Sequence, residues 1–280
     1  MATPQATEAQ ASCQALHNLT FLGQSGRPML FCHGFGIDQT MWRHVAPVFS
    51  AGHRVVLMDH VGSGGSDRGA YRRGKYASLD GYVQDVLGVC RTFDLREVIL
   101  VGHSVSAMIG LLASLAEPER FSSLIMIGAS PRYLNQGDYQ GGFTEADVAD
   151  LIDALDANPS VWAEQLSAQA MANGNRPELA EELRLQFCSG NPAILRQFAK
   201  VTFSVDCRAA LPGCRTPVLL LQSRQDAIVP VQVSEYLRAA LPDAELVYLE
   251  AAGHYAQLSA PEEVTSAMVA FLAGRERVHG

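Results

Sequence analysis

No stretch of this chain approaches the ~18–20 consecutive apolar residues that cross a membrane. None of its first 26 residues is lysine or arginine. Ala2 to Gln14 is polar and alanine-rich, so the basic and apolar regions of a secretory signal are both missing, and residues 1–15 read as a disordered leader. The six cysteines (Cys13, Cys32, Cys90, Cys188, Cys207, Cys214) contain no C-x-x-C pair, and the eight histidines no H-x-x-x-H spacing. Reduced thiols in a cytoplasmic protein are the economical expectation, with no metal. Positive charge is scarce: 21 basic against 29 acidic side chains leave −8, which argues against a binder that neutralises nucleic-acid phosphates. Only Lys75 and Lys200 are lysines, and the local run Arg68, Arg72, Arg73, Lys75 reads as a solvated loop before an anion site. Repeats and low-complexity tracts are absent as well.

What is present is apolar. Charged residues make up 18% and apolar ones 48% of 280 residues, the composition of one or two folded domains with a sizeable core. Met29–Cys32, Arg54–Met58, Glu97–Val101 and Ser123–Ile127 are short apolar runs that each end in turn residues, as strands covered on both faces do. Between them Leu79, Tyr82, Val83, Val86, Leu87, Cys90 and Phe93 recur at helical spacing, with Ser78 placed to cap. This alternation predicts an α/β sheet with right-handed crossovers. From about Pro131 to Val201 strand signals vanish. Thr144–Asp147 resembles a capping box ahead of an apolar stripe of Val148, Leu151, Ile152 and Leu155. Trp162–Met171, Pro177–Phe187 and Pro192–Phe203 look like three more helices. The αβ pattern resumes with Val218–Gln222 and Glu245–Leu249. A helical insertion of this kind is a candidate lid over the sheet's carboxyl edge.

The sharpest local feature is Val98–Gly110, which reads strand, tight turn with Ser104 at its apex, then helix. That is a nucleophile elbow, usually G-x-S-x-G, with Ser106 in the trailing place. Chance supplies roughly 0.3 such strings in a chain this long, so placement between strand and helix carries the weight. A serine needs a base, itself oriented by a carboxylate, in the chain order serine, acid, histidine. Asp226 follows strand Val218–Gln222, and His254 follows strand Glu245–Leu249 and a glycine. Each also has an ordinary reading: Asp226 as a helix cap, His254 as a turn residue, and His103 as a rival base or a structural neighbour of the elbow. For the oxyanion, one donor is expected from the Val105 N–H and a second from Phe35, between the glycines of His33–Gly36.

The strings HGFGIDQTMW (His33–Trp42), DHVGSGGSD (Asp59–Asp67), LDGYVQDV (Leu79–Val86), GHSVSAMIG (Gly102–Gly110) and the Gly128–Phe143 segment resemble the bacterial RsbQ-type hydrolases and the plant karrikin and strigolactone receptor hydrolases. The likeness runs from about Leu16 to Leu272. It implies an α/β-hydrolase fold, a mostly parallel sheet flanked by helices, with a four-helix lid inserted after the sixth strand. The core would be 16–130 and 204–274, and the lid 131–203. It also implies a Ser104–His254–Asp226 triad, oxyanion donors Phe35 and Val105, and a mainly apolar pocket. By position Phe35, Tyr133, Phe143, Leu151, Trp162, Leu166, Phe203, Ala227 and Ile228 match its pocket or lid-facing places. Two departures touch ligand preference: Leu166 in place of an aromatic, and Tyr255-Ala256 after the histidine.

Three functions are expected to compete. The first is a serine hydrolase of small apolar esters or lactones, without cofactor, acting through an acyl-enzyme. The second is a ligand sensor whose lid, through its acidic face Asp147–Asp156, meets a signalling partner. The third is C–C cleavage or acyl transfer with the same residues. Ser104 in the nucleophile position disfavours haloalkane dehalogenation, which uses an aspartate. The expected protein is a monomer that binds a small apolar carbonyl compound and neither nucleic acid nor membrane.

Overall fold

A computed structural model of the chain describes residues 7–279. Its sheet has seven strands: β1 (Thr20–Leu22), β2 (Arg27–Cys32), β3 (His53–Met58), β4 (Val98–His103), β5 (Phe121–Ile127), β6 (Val218–Gln225) and β7 (Ala244–Ala252). They run in the order β1-β3-β2-β4-β5-β6-β7. β1 is antiparallel to β3, and the other pairings are parallel. The central strands β4 and β5 are almost wholly buried, which is why their sequences are continuous apolar runs without alternation.

The first helices are α1 (Glu8–Leu16), α2 (Ala46–Phe49), α3 (Asp80–Thr92) and α4 (Val105–Ala116). α3 buries Tyr82, Val83, Val86, Leu87 and Cys90, and the Ser78 hydroxyl accepts from the Asp80 N–H at its start. Between β5 and β6 come α5 (Glu145–Ala157), α6 (Pro159–Met171), α7 (Pro177–Ser189) and α8 (Pro192–Ser204). The Thr144–Asp147 capping box opens α5, and the Asn158 side chain caps α6. The last helices are α9 (Val231–Ala240), α10 (Ala256–Ser259) and α11 (Pro261–His279).

Two expectations need correction. Residues 8–15 are helix, not a disordered leader: Thr7 and Gln10 cap α1 reciprocally, and Cys13 and Leu16 pack on the core. Residues 1–6 of that leader lie outside the described residues. The four-helix insertion follows the fifth strand, not the sixth. The segment ahead of β1 is α1, so no further strand precedes it among the described residues.

Strand register brings distant loops together. Cys32 pairs with Gly102 and His103 with Ile127, so the loop after β2 lies beside the elbow after β4. Gln225 pairs with Ala252, so the loops after β6 and β7 also leave the sheet side by side, at the same carboxyl edge.

Candidate active site

Ser104 sits between β4 and α4 with φ 56° and ψ −124°. A non-glycine residue held there stores about 1–3 kcal/mol of backbone strain. The strain is held in place by neighbours. The Ser104 N–H donates to the Ile127 carbonyl at 2.8 Å. At Gly102 an added Cβ would lie 2.6 Å from the Ser106 carbonyl oxygen, so the leading small residue of the elbow has to be glycine. The trailing Ser106 uses its side chain instead. Its hydroxyl donates to the His33 carbonyl at 2.5 Å and accepts from His60 Nε2 at 2.7 Å, tying the ends of β2 and β3 to the elbow.

The imidazole and carboxyl meet at the same carboxyl edge, in the loops after β6 and β7. His254 Nδ1 donates to Asp226 Oδ2 at 2.8 Å, and both side chains are buried. Asp226 Oδ1 accepts the backbone N–H groups of Ile228 at 2.8 Å and Val229 at 3.0 Å. Those bonds leave the carboxylate pinned as an acceptor, which selects the His254 tautomer with its Nε2 lone pair free. The His254 N–H donates to the Ala170 carbonyl in α6 at 2.7 Å. Gly128, at φ +57°, gives the ring its space, since a Cβ there would lie 2.9 Å from His254 Cε1. His103 lies beneath, its Nε2 donating to the His254 carbonyl at 2.9 Å. Burial drives the His103 imidazole well below its ordinary titration range, with the His254 ring adding to the shift. With its Nε2 committed to that carbonyl and no bond to Ser104 Oγ among the described residues, His103 props the loop.

Ser104 and His254 line one narrow chamber of about 30 Å³ with Phe35, Tyr133, Leu166, Ala170, Phe187, Thr202, Phe203, Ile228 and Tyr255. Ser104 Oγ is hydrogen-bonded at 2.9 Å to the Tyr133 hydroxyl, and among the described residues no bond joins it to His254. Neither the Phe35 nor the Val105 N–H donates to another described residue, which leaves both amides available to an oxyanion. A second space of about 500 Å³, open to solvent, lies between α5 and α6. It is lined by Gly142, Phe143, Asp147, Asp150, Leu151, Ala154, Trp162, Gln165, Leu166, Gln169 and Ala227. Leu166 faces both spaces.

A family model described as alpha/beta hydrolase fold matches residues 27–261. The chain belongs to the α/β-hydrolase family. A strigolactone esterase of Arabidopsis thaliana is 37% identical over 248 residues, covering 88% of this chain and 92% of that protein. A karrikin insensitive 2 receptor of Petunia hybrida is 35% identical over 249 residues, covering 89% and 92%. The solved structure of a hydrolase from Oleispira antarctica matches with a TM-score of 0.92 at 34% identity, over 96% of this chain and 98% of that one.

Within this α/β-hydrolase, the residues expected to line one pocket divide. Phe35, Tyr133, Leu166, Phe203 and Ile228 face the inner chamber, whereas Phe143, Leu151, Trp162 and Ala227, with Leu166 again, face the outer space. The partition is aromatic: Phe35 meets Trp162 at 6.2 Å between centroids, and Phe143 meets Phe203 at 5.3 Å. Sequence reasoning missed Ala170, Phe187 and Thr202. Ala170 was legible as the residue one helical turn beyond Leu166. Phe187 and Thr202 depend on how α7 and α8 pack, which no local pattern states. No described helix is long and apolar enough to cross a membrane, and the described residues contain no cluster of three metal-ligating side chains.

Proposed function

We propose that this α/β-hydrolase cleaves small, mainly apolar esters or lactones through Ser104, His254 and Asp226. The observation that carries the reading is the buried Asp226–His254 pair at 2.8 Å, sharing a chamber with a serine held at positive φ. Ser104 turns its hydroxyl toward His254 Nε2 and attacks the carbonyl while the imidazole takes the proton. The oxyanion rests on the Phe35 and Val105 N–H groups. The imidazolium, stabilised by Asp226, protonates the leaving alcohol, and water activated by the same histidine releases the acid from the acyl-enzyme. Residues 131–203 serve as the lid, over a core of 16–130 and 204–274. Cytoplasmic residence and a monomeric state complete the reading. The six cysteines, none of them in a disulfide, fit a reducing compartment.

Turnover of a p-nitrophenyl ester by the parent protein and its loss in Ser104→Ala is the expected result. Equal turnover in Ser104→Ala refutes the assignment. A second reading, a ligand receptor with slow hydrolysis, is favoured by the receptor names among the relatives and by the exposed face Asp147, Asp150, Asp153 and Asp156 of α5. Slow turnover with a large ligand-dependent rise in melting temperature supports it. Lack of any melting shift across a lactone panel removes it.

A further inference from the structure

The group in contact with the Ser104 nucleophile is a phenol. We propose that Tyr133 is a catalytic residue of the reaction above, donating a hydrogen bond to Ser104 Oγ that assists departure of this oxygen from the acyl-enzyme. The inference rests on the hydrolase reading and adds a step-specific role to it.

The hydroxyls of Tyr133 and Ser104 are 2.9 Å apart. Either oxygen has the geometry to donate, and the inventory of acceptors decides which one does. Tyr133 is fully buried, and Ser104 Oγ is the one partner of its hydroxyl among the described residues, so its proton has a single acceptor on offer. The serine proton has another destination in the same chamber, the His254 Nε2 lone pair that the Asp226 bond leaves free. With Tyr133 donating, Ser104 keeps its own proton for the base, to be given once its hydroxyl turns toward His254. Burial pushes the phenol well above its ordinary value near 10, so it remains a neutral donor throughout the working range and does not serve as a base.

The phenol is fixed ahead of any ligand. Its ring meets Phe203 of α8 at 5.3 Å between centroids. The Tyr133 carbonyl accepts from the Phe143 N–H at 3.1 Å, and the Asn135 N–H donates to the Phe143 carbonyl at 2.8 Å, closing the loop ahead of α5. A Cβ at Gly141 would lie 2.5 Å from the Tyr133 carbonyl oxygen, so the loop folds tightly against this residue. Preorganised donors of this kind act where charge develops.

Charge on Ser104 Oγ changes in opposite senses in the two half-reactions. During acylation Oγ gives electron density to the carbonyl carbon, and a donor on its lone pair weakens the attack. During deacylation water adds its oxygen to the acyl carbon and gives a proton to His254. The C–Oγ bond then breaks, Oγ takes the bonding pair and afterwards the His254 proton, and the acid leaves with the water oxygen. The Tyr133 bond strengthens as Oγ gains charge. It therefore slows formation of the acyl-enzyme slightly and speeds its breakdown.

Stopped-flow hydrolysis of p-nitrophenyl acetate, with intact-mass measurement of the acetylated protein, separates the two steps. In Tyr133→Phe the steady-state rate is expected to fall about 10- to 100-fold, within the usual loss for one preorganised donor. The burst of p-nitrophenol should keep its rate or quicken, and acetyl-Ser104 should accumulate. Loss of burst and steady-state rates in equal proportion, or no change in either, overturns the proposal. Should Tyr133→Phe fail to fold, Tyr133→Leu removes the same donor and gives the same readout. Turnover of p-nitrophenyl acetate that Ser104→Ala retains in full sinks the hydrolase reading and this inference with it. A parent adduct with unaltered kinetics in Tyr133→Phe removes the inference alone.

Discussion

Replacing Ser106 by alanine removes the hydroxyl that binds three strand ends together beneath Ser104. Ser106, His33 and His60 are all fully buried. The hydroxyl donates to the His33 carbonyl at 2.5 Å and accepts from His60 Nε2 at 2.7 Å. His60 donates its backbone N–H to His33 Nε2 at 3.0 Å, and its Nδ1 already lacks a partner among the described residues. Ser106→Ala therefore strands a donor, His60 Nε2–H, and deprives a carbonyl of one acceptor bond. A stranded buried group costs about 1–3 kcal/mol, and a carbonyl with a second lone pair somewhat less, so the expected loss is about 2–4 kcal/mol. At roughly 2 °C per kcal/mol for a chain this large, the melting temperature drops by about 4–8 °C. Ser106→Gly, which restores the usual elbow string, should lose the same bonds and a further ~0.5–1 kcal/mol of helix entropy. Calorimetry and urea titration read both variants. A double-mutant cycle with His60→Phe should show a coupling above about 1 kcal/mol. A Ser106→Ala melting temperature within about 1 °C of the parent refutes the argument.

Other expectations concern the base and the buried histidines. Gly128→Ala puts a methyl group 2.9 Å from His254 Cε1 at φ +57°. The expected result is a kcat about 100-fold lower, since small displacements of a catalytic group are enough for that; an unchanged kcat contradicts the placement. Asp226→Asn keeps an acceptor for the Ile228 and Val229 N–H groups but turns an amide NH2 toward His254 Nδ1. A kcat fall of about 10³–10⁴ is expected, and activity within about tenfold of the parent excludes Asp226 as the orienting group. Burial holds His60 and His103 well below their ordinary value of 6.5, so both stay neutral in the fold and protonate on unfolding. Their contribution is fully present above about pH 6.5 and declines below it, by up to ~2.7 kcal/mol per pH unit for two protons. Melting temperatures that stay level from about pH 7 to pH 5 contradict this.

The parts of the site legible in the sequence were those that follow a strand end. Ser104, Asp226 and His254 each come after a short apolar run, and a parallel sheet delivers such loops to one edge, where Asp226 and His254 meet at 2.8 Å and Ser104 lines the same chamber as His254. The helices α5 to α8 announced themselves by capping residues, prolines at their starts and apolar stripes. α1 did not, because an alanine-rich helix with Cys13 and Leu16 as its few apolar contacts has no stripe to read; its capping pair Thr7 and Gln10 was the available signal. The division of the pocket into inner and outer spaces follows from which rings of α6, α7 and α8 touch across the lid. The contact between Tyr133 and Ser104 follows from closure of the 133–143 loop. Both are products of packing between segments, for which periodicity has no counterpart.

The central claim is that Ser104 is a nucleophile activated by His254 and Asp226. Labelling with an alkyl fluorophosphonate followed by peptide mapping tests it most directly. The account predicts one phosphonyl group on Ser104, no label in Ser104→Ala, and much slower labelling of Asp226→Asn. A parent protein that stays unlabelled under exhaustive exposure, or carries the label on another residue, contradicts it.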